Sequence, residues 1–378
     1  MVETGEKKKE GGLAGIIAGD SSICLCDPEK ESLLYRGYPI DVLAQHASFE
    51  EVAWLLLHKE LPDPCELRQF NEDLNNYRNL TNTLKKLLEA VPPTVDLMAA
   101  LRTTVSLFGH IDPVSQESDP YIAAERTIGA LASALLYWYR FHTEGIRIEL
   151  HTEESSLAGH ILHLITGKKP SEAHTHALNL SLILYAEHEF NASTFTVRTI
   201  ASTLSDYYSA ICGGIGALAG PLHGGANEAA INLITSFSTP DEAEKGILAK
   251  LAKKELIMGF GHRVYTTHDP RSALIYKEAE KLAYTEGQKN LMKIGERIEQ
   301  VMRREKNLFP NLDFYSALAY HFLGIPPHFF TPLFVFSRLT GWSAHFFEQQ
   351  KHNKLIRPIS NYIGPAEKQW IPVNDRTG

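Results

Sequence analysis

Three long stretches constrain this chain more than anything else in it. "YIAAERTIGALASALLYWYRFH" (121–142), "SEAHTHALNLSLILYAEHEF" (171–190) and "STFTVRTIASTLSDYYSAIC" (193–212) read as helices that are apolar around most of their circumference. Helices of that kind must be covered on nearly every side, so they belong in a multi-helix core rather than on a surface. No strand–helix alternation, internal repeat or low-complexity linker accompanies them, and the expected fold class is mainly α. The exception lies near the N-terminus, where "ICLCDPEKESLLYRGY" reads as a β-hairpin of two short strands around Asp27-Pro28-Glu29-Lys30. Helix starts are legible too: Pro120 opens the first long stretch, Pro170-Ser171 the second, and Thr239-Pro240-Asp241-Glu242 combines a Thr cap, Pro at the first position and Glu at the third.

A length of 378 residues allows two or three domains. From about 225 to 324 the helical segments become shorter and more charged, as in "DEAEKGILAKLAKKE" and "KIGERIEQVMRREK". Aromatic, apolar sequence returns at "PPHFFTPLFVFSRLTGWSAHFFEQ". This pattern predicts a small helical domain, 225–324, inserted into a large one made of 1–224 and 325–378, with joints at the Gly-rich stretch before 225 and near Gly324-Ile325-Pro326.

A net charge of −8 argues against a broad nucleic-acid or anionic-membrane surface, so positive charge for an anionic ligand must be local. Lys245, Lys250, Lys253, Lys254, Arg263 and Arg271 could supply it, or could be solvated. Four cysteines do not make a disulfide framework; Cys24 and Cys26, two apart on one face of a strand, read as buried thiols. The start, "MVETGEKKKEGGLAG", has no apolar signal-peptide core and reads as a mobile tail, and no apolar run is long enough to span a membrane. A cytoplasmic location is expected.

The chemistry-bearing residues fall in a few short stretches. In "CGGIGALAGPLHGGANE" the GxG lacks the preceding strand of a dinucleotide fingerprint, and Gly213, Gly214 and Gly216 read as sites of close helix packing. His223, between a Gly-Pro break and Gly224-Gly225 and just ahead of a helical run, is placed for a ligand to approach backbone and ring; a neutral imidazole there would be a donor. In "GFGHRVYTTHDPRS" His262 again follows glycines, and Arg271 suits bidentate carboxylate recognition. Asp313, ahead of the apolar helix in "PNLDFYSALAYHFLG", is either a helix cap or a carboxylate with a task. Arg338 and Arg357 stand in apolar company and call for anionic partners, internal or bound. No metal site is expected: His188-Glu189 lacks the second histidine of HExxH, and His160/His163 and His174/His176 lack a third ligand.

Together, "GPLHGGANE", "GFGHRVY" with "DPR", "FPNLDFYSA" and "RPISNYIGP" occur in the order found in the citrate synthase family, which the chain resembles over nearly its whole length. "LLYWY", "LYAEHEFNASTFT" and "GWSAHFFEQ…NKLIRP" resemble the bacterial 2-methylcitrate synthases within it, whereas Arg263 after His262 is as in short citrate synthases. The resemblance implies a two-domain helical fold and condensation of propionyl-CoA or acetyl-CoA with oxaloacetate, followed by thioester hydrolysis, with no cofactor. It assigns His223 to the thioester oxygen, His262 to the oxaloacetate carbonyl and Asp313 to removal of the thioester α-proton. His188, Arg271 and Arg338 match oxaloacetate-binding positions. Arg357 matches an arginine that reaches the partner's site in a homodimer. Leu256, Ile257, Met258, Gly259 and Phe260 match backbone lining the CoA adenine. Regulation by NADH is not expected.

Overall fold

The computed structural model describes residues 13, 15–111 and 120–376. The expected N-terminal tail lies almost wholly outside the described residues. Three strands, β1 (Cys24–Asp27), β2 (Ser32–Tyr35) and β3 (Tyr38–Pro39), form one antiparallel sheet in the order β1-β2-β3, with Cys26 opposite Leu33 and Tyr35 opposite Tyr38. The hairpin turn is where the sequence placed it: Asp27 Oδ1 accepts the backbone N–H groups of Glu29 and Lys30, both at 3.0 Å. The third strand was not anticipated, because two residues are too few to show a period.

Helices make up the rest. The first group comprises α1 (Ile40–His46), α2 (Phe49–His58), α3 (Pro64–Tyr77), α4 (Asn82–Ala90), α5 (Leu97–Ile111), α6 (Pro120–Glu144), α7 (Leu157–Thr166), α8 (Glu172–Tyr185), α9 (Ala192–Ala201) and α10 (Tyr207–Leu218). Then follow α11 (Ala226–Thr235), α12 (Pro240–Ala252), α13 (Ser272–Leu282), α14 (Glu286–Lys306), α15 (Leu312–Phe322) and α16 (Phe330–Lys351). Local chemistry sets many of their starts. Capping boxes open α2 (Ser48/Glu51), α3 (Asp63/Glu66) and α14 (Thr285/Gln288), and a side-chain cap of this kind stabilises a helix by about 1 kcal/mol. Thr239 caps α12 as read, while Glu242 turns back to the Ser238 N–H instead of closing a box.

The stretch 193–212 is two helices, not one. Leu204 adopts a left-handed conformation (φ 63°) and Asp206 caps α10 by accepting the Ser209 N–H. Their periodicities happen to run nearly in phase, which hid the break. α9 and α10 then pack on each other, and a Cβ at Gly213 would come within 2.2 Å of Ile200 and one at Gly214 within 2.8 Å of Val197. Gly216 has nothing within 4 Å, so close packing inside the chain does not account for it.

α16 is the axis of the core. From Phe330 to Phe346 every residue is buried, and it packs on α2, α6, α8, α9 and α10. α11 to α15 pack largely on one another, as α11 on α15, α12 on α14 and α13 on α15. α8 touches both groups, meeting α16 on one side and α13 and α15 on the other. The links 219–225 and 323–329 lead into α11 and out of α15, with Gly324 left-handed (φ 75°) after α15.

Candidate active site

His223 sits on the bend between α10 and α11. Its own N–H bonds back to the Gly220 carbonyl at 2.9 Å, closing a turn. Gly224 is needed for room: a Cβ there would lie 2.3 Å from the Leu218 carbonyl oxygen. Gly225 has φ −88° and no close neighbour, so it is not demanded sterically. The ring is fixed by Ser193 at the start of α9, whose hydroxyl lies 2.9 Å and whose backbone N–H lies 3.4 Å from Nε2. A backbone N–H can only donate, so Nε2 accepts and the neutral ring carries its proton on Nδ1. Burial, helped by Arg338, pushes the ring down to about 4, which keeps it neutral near pH 7.

The loop 256–271 delivers His262 differently. Gly259 and Gly261 are left-handed (φ 88° and 74°), and the segment is stitched to the lead-in of α15. The Gly261 N–H donates to Phe309 O at 2.8 Å, the Asn311 N–H to Gly259 O at 3.0 Å, and the Asn311 amide to Gly261 O at 3.0 Å. His262 Nδ1 accepts the N–H groups of Val264 (3.0 Å) and Tyr265 (3.4 Å), so its proton is on Nε2. Burial and Arg271 hold this ring at about 4 as well.

Asp313 is not the cap of α15. Asn311 is: its side chain accepts the Asp313 N–H at 3.1 Å, leaving the Asp313 carboxylate free of capping duty. That carboxylate accepts the Tyr185 hydroxyl at 2.6 Å. Burial raises it above its ordinary range, against the Tyr185 bond and Arg271, which favour the charged form.

The cationic end gathers His188, Arg271 and Arg338. The His188 and His262 rings lie 4.8 Å apart, and His188 rests against Cys26 Sγ (3.6 Å from Nδ1). Burial, with Arg271 next, keeps His188 well below its usual value. Arg271 is held bidentate by the buried Asp269 (3.0 and 2.9 Å), whose Oδ2 also accepts the Leu312 N–H that begins α15. Burial opposes the charge on Arg271, but Asp269 more than offsets it. Arg338 has no such partner. Its Nε donates to Tyr185 O at 2.8 Å, its guanidinium lies over Phe334, and Nη1 is buried without a hydrogen bond. A buried guanidinium with an open donor is a strong pull on an anion.

Six of the expected residues are thus brought together: His188, His223, His262, Arg271, Asp313 and Arg338. Arg357 is not among them; it lies exposed in the extended segment after α16 and lines a cavity of about 1020 Å³ with Arg36, Arg198 and Glu348, away from His223, His262 and Asp313. In the segment 256–260, Leu256 is exposed, Ile257 and Gly259 are buried, and Met258 and Phe260 are half-buried. Tyr185, Ser193 and Asp269 were missed as site residues. Tyr185 looks like core in a long apolar run, and Asp269 looks like half of a turn; only its spacing from Arg271 hinted at the ion pair. The thiols are free, Cys26 buried and Cys24 half-buried, 3.8 Å apart. Among the described residues no three His, Cys, Asp or Glu side chains are arranged to hold a metal, and no helix is long and apolar enough to cross a membrane. His160 is a core histidine, bonded to Ser133 (2.8 Å) and Thr152 (2.9 Å).

This helical fold, with a buried carboxylate and two neutral imidazoles in its site, has counterparts among proteins of known sequence and structure. The family profile described as "Citrate synthase, C-terminal domain" matches residues 12–359. The chain belongs to the citrate synthase family and is an enzyme of acyl-CoA condensation. It is 45% identical to the 2-methylcitrate synthase of Shewanella oneidensis, covering 98% of this chain and 99% of that protein. It is 40% identical to citrate synthase 2 of Bacillus subtilis, covering 97% and 98%. Among solved structures, the ternary complex of Thermoplasma acidophilum citrate synthase with carboxymethyl coenzyme A and oxaloacetate superposes with a TM-score of 0.89 at 32% identity, covering 96% of this chain and 98% of that one.

Proposed function

We propose that the protein condenses propionyl-CoA with oxaloacetate and hydrolyses the resulting thioester, giving 2-methylcitrate and CoA, as a step in propionate breakdown. The observation that carries this reading is the pair of neutral rings with opposite tautomers gathered in one site with a buried carboxylate. Asp313 removes the thioester α-proton while His223 Nδ1–H donates to the carbonyl oxygen that becomes the enol. The enol carbon attacks the oxaloacetate ketone, which His262 Nε2–H polarises and then protonates as the alkoxide forms. Water cleaves the thioester, releasing CoA and making the sequence effectively irreversible. Arg271, pre-set by Asp269, and Arg338, with its open Nη1, bind the oxaloacetate carboxylates beside His188. No step calls on a metal or redox cofactor.

Two further features belong to this reading. Residues 225–324 act as a small domain whose closure assembles the site, because His223 lies at its edge while His262, Arg271 and Asp313 lie within it and His188 and Arg338 outside. The backbone of 256–260 receives the CoA adenine. The chain works as a homodimer in which Arg357 reaches the partner's oxaloacetate site. In support, the segment after α16 runs with Leu355, Ile359, Ile363 and Trp370 exposed, and Gly216 on α10 has open space beside it.

The choice of propionyl-CoA rests on similarity to 2-methylcitrate synthases, and acetyl-CoA is the alternative donor, because citrate synthase relatives such as that of Bacillus subtilis are also similar. The two donors differ by one methylene, a difference worth about 1–3 kcal/mol in a pocket, so activity with both is expected. Thiol release from the two acyl-CoAs in the presence of oxaloacetate tests the choice. A higher kcat/KM for propionyl-CoA supports the reading, and a higher value for acetyl-CoA makes the protein a citrate synthase.

A further inference from the structure

One buried charged cluster takes no part in that mechanism yet abuts it. Glu187, next in sequence to His188, is completely buried, and so is His345 on α16. Glu187 Oε1 lies 2.8 Å from His345 Nε2, and His345 Nδ1 lies 2.9 Å from Arg198 Nη1. A guanidinium only donates, so Nδ1 accepts and the His345 proton is on Nε2, pointed at Glu187. Arg198 is anchored in turn by Glu348 at 2.8 Å.

α16 meets the end of α8 and the turn after it at Ser337, Arg338, Gly341 and His345. Ser337 donates to Leu182 O, Arg338 Nε to Tyr185 O at 2.8 Å, and His345 to Glu187. Gly341 between them lets the backbones close: a Cβ there would stand 2.4 Å from Ala186 O and 2.1 Å from Glu187 Oε2. From the other side the Tyr35 hydroxyl donates to Glu187 O at 2.9 Å. Arg338 and His345 are seven residues apart, so they lie on one face of the helix. The turn therefore has the bond to Arg338 at one end and the bond to His345 at the other, with His188 directly beyond.

We propose that His345 and Glu187 are positioning residues for oxaloacetate recognition, clamping the 185–188 turn to α16 so that the His188 ring and the Arg338 guanidinium face the same carboxylate site. Neither residue touches the substrate; they fix the spacing between two groups that do. Burial lowers the Arg338 guanidinium, and Glu187 is the largest charge opposing that shift, which places the carboxylate electrostatically beside the arginine it helps to orient. The inference rests on the oxaloacetate-site reading of His188 and Arg338.

The test compares His345→Leu, His345→Gln and Gly341→Ala with the parent enzyme, measuring kcat, both KM values and thermal melting. Leucine removes both hydrogen bonds, whereas glutamine can donate to Glu187 and accept from Arg198. His345→Leu should raise the oxaloacetate KM about tenfold or more with the acyl-CoA KM little changed, the signature of lost substrate binding rather than lost chemistry. His345→Gln should recover most of that loss. Gly341→Ala pries the turn from α16 by a different route and should raise the same KM, so it carries the test if His345→Leu does not fold. An unaltered oxaloacetate KM in folded Gly341→Ala or His345→Leu protein, or equal rises in both KM values, overturns the inference and leaves a merely structural pair. A parent enzyme that releases no thiol with either donor would instead overturn the functional reading beneath it.

Discussion

The two histidines that follow glycines, His223 and His262, are presented in opposite ways. The bend at His223 uses ordinary backbone angles and needs glycine at 224 only because the Leu218 carbonyl is in the way. The loop before His262 needs left-handed angles at Gly259 and Gly261, and it is tied by backbone bonds to the segment that begins α15. One ring is held through Nε2 by a side chain and an amide from α9, the other through Nδ1 by amides two and three residues on. The outcome is one ring with Nδ1–H to offer and one with Nε2–H. Similar sequence context therefore says little about which nitrogen a histidine presents; the donor that bonds the other ring nitrogen decides it.

The largest expected effects break that comparison at the tautomers. An asparagine amide roughly mimics the Nδ1 side of an imidazole and a glutamine amide the Nε2 side. His223→Asn should retain more turnover than His223→Gln, and His262→Gln more than His262→Asn, with the poorer member of each pair losing about 10²–10⁴-fold in kcat. Steady-state kinetics on the four variants checks this, and the same preference at both positions would contradict opposite tautomers.

Smaller effects fall on stability. Gly224→Ala meets a backbone oxygen and should cost about 1–3 kcal/mol. Gly261→Ala must hold alanine at a left-handed angle, at about 1–2 kcal/mol. Gly225→Ala, with no steric demand, should stay within about 1 kcal/mol of the parent. Denaturant unfolding ranks the three, and a Gly225→Ala as costly as Gly224→Ala would remove the distinction between room and angle.

The smallest shift uses pH. Both rings are held near 4, so neither should titrate between pH 5 and 8, and an acid limb of kcat/KM within that range belongs to Asp313, whose carboxyl is raised by burial. Activity is lost as pH falls through the Asp313 pKa, since the base must be ionised. Tyr185→Phe removes a hydrogen bond that favours the charged carboxylate, so the limb should move to higher pH. A limb near the ordinary histidine value of about 6.5 that ignores Tyr185→Phe would mean a ring is titrating instead.

How much of this was legible in the sequence depended on whether the information was local. The long helices, the hairpin turn at Asp27 and the Thr239-Pro240 helix start follow from periodicity and capping chemistry within a few residues. The break at Leu204 was missed because both flanking helices are apolar and in phase. The motif residues His223, His262, Arg271, Asp313 and Arg338 were named from residue type and resemblance, but not their partners. On residue type alone Asp313 reads first as a helix cap, a place the structure gives to Asn311. Arg271 and Arg338 look alike in sequence, yet only one has a carboxylate in contact, because Asp269 is two residues away while the partners of Arg338 come from α8. The Tyr185 hydroxyl acts from α8 on Asp313 at the start of α15, and His345 acts from α16 on the turn after α8; no local pattern reveals either contact.

Whether Asp313 is the base is decided by Asp313→Asn in the thiol-release assay. Asn311 remains to cap α15, so the helix start is kept while the base is lost. Loss of the base should lower kcat by about 10³-fold or more, with both KM values within a few fold of the parent. Turnover unchanged from the parent would contradict it.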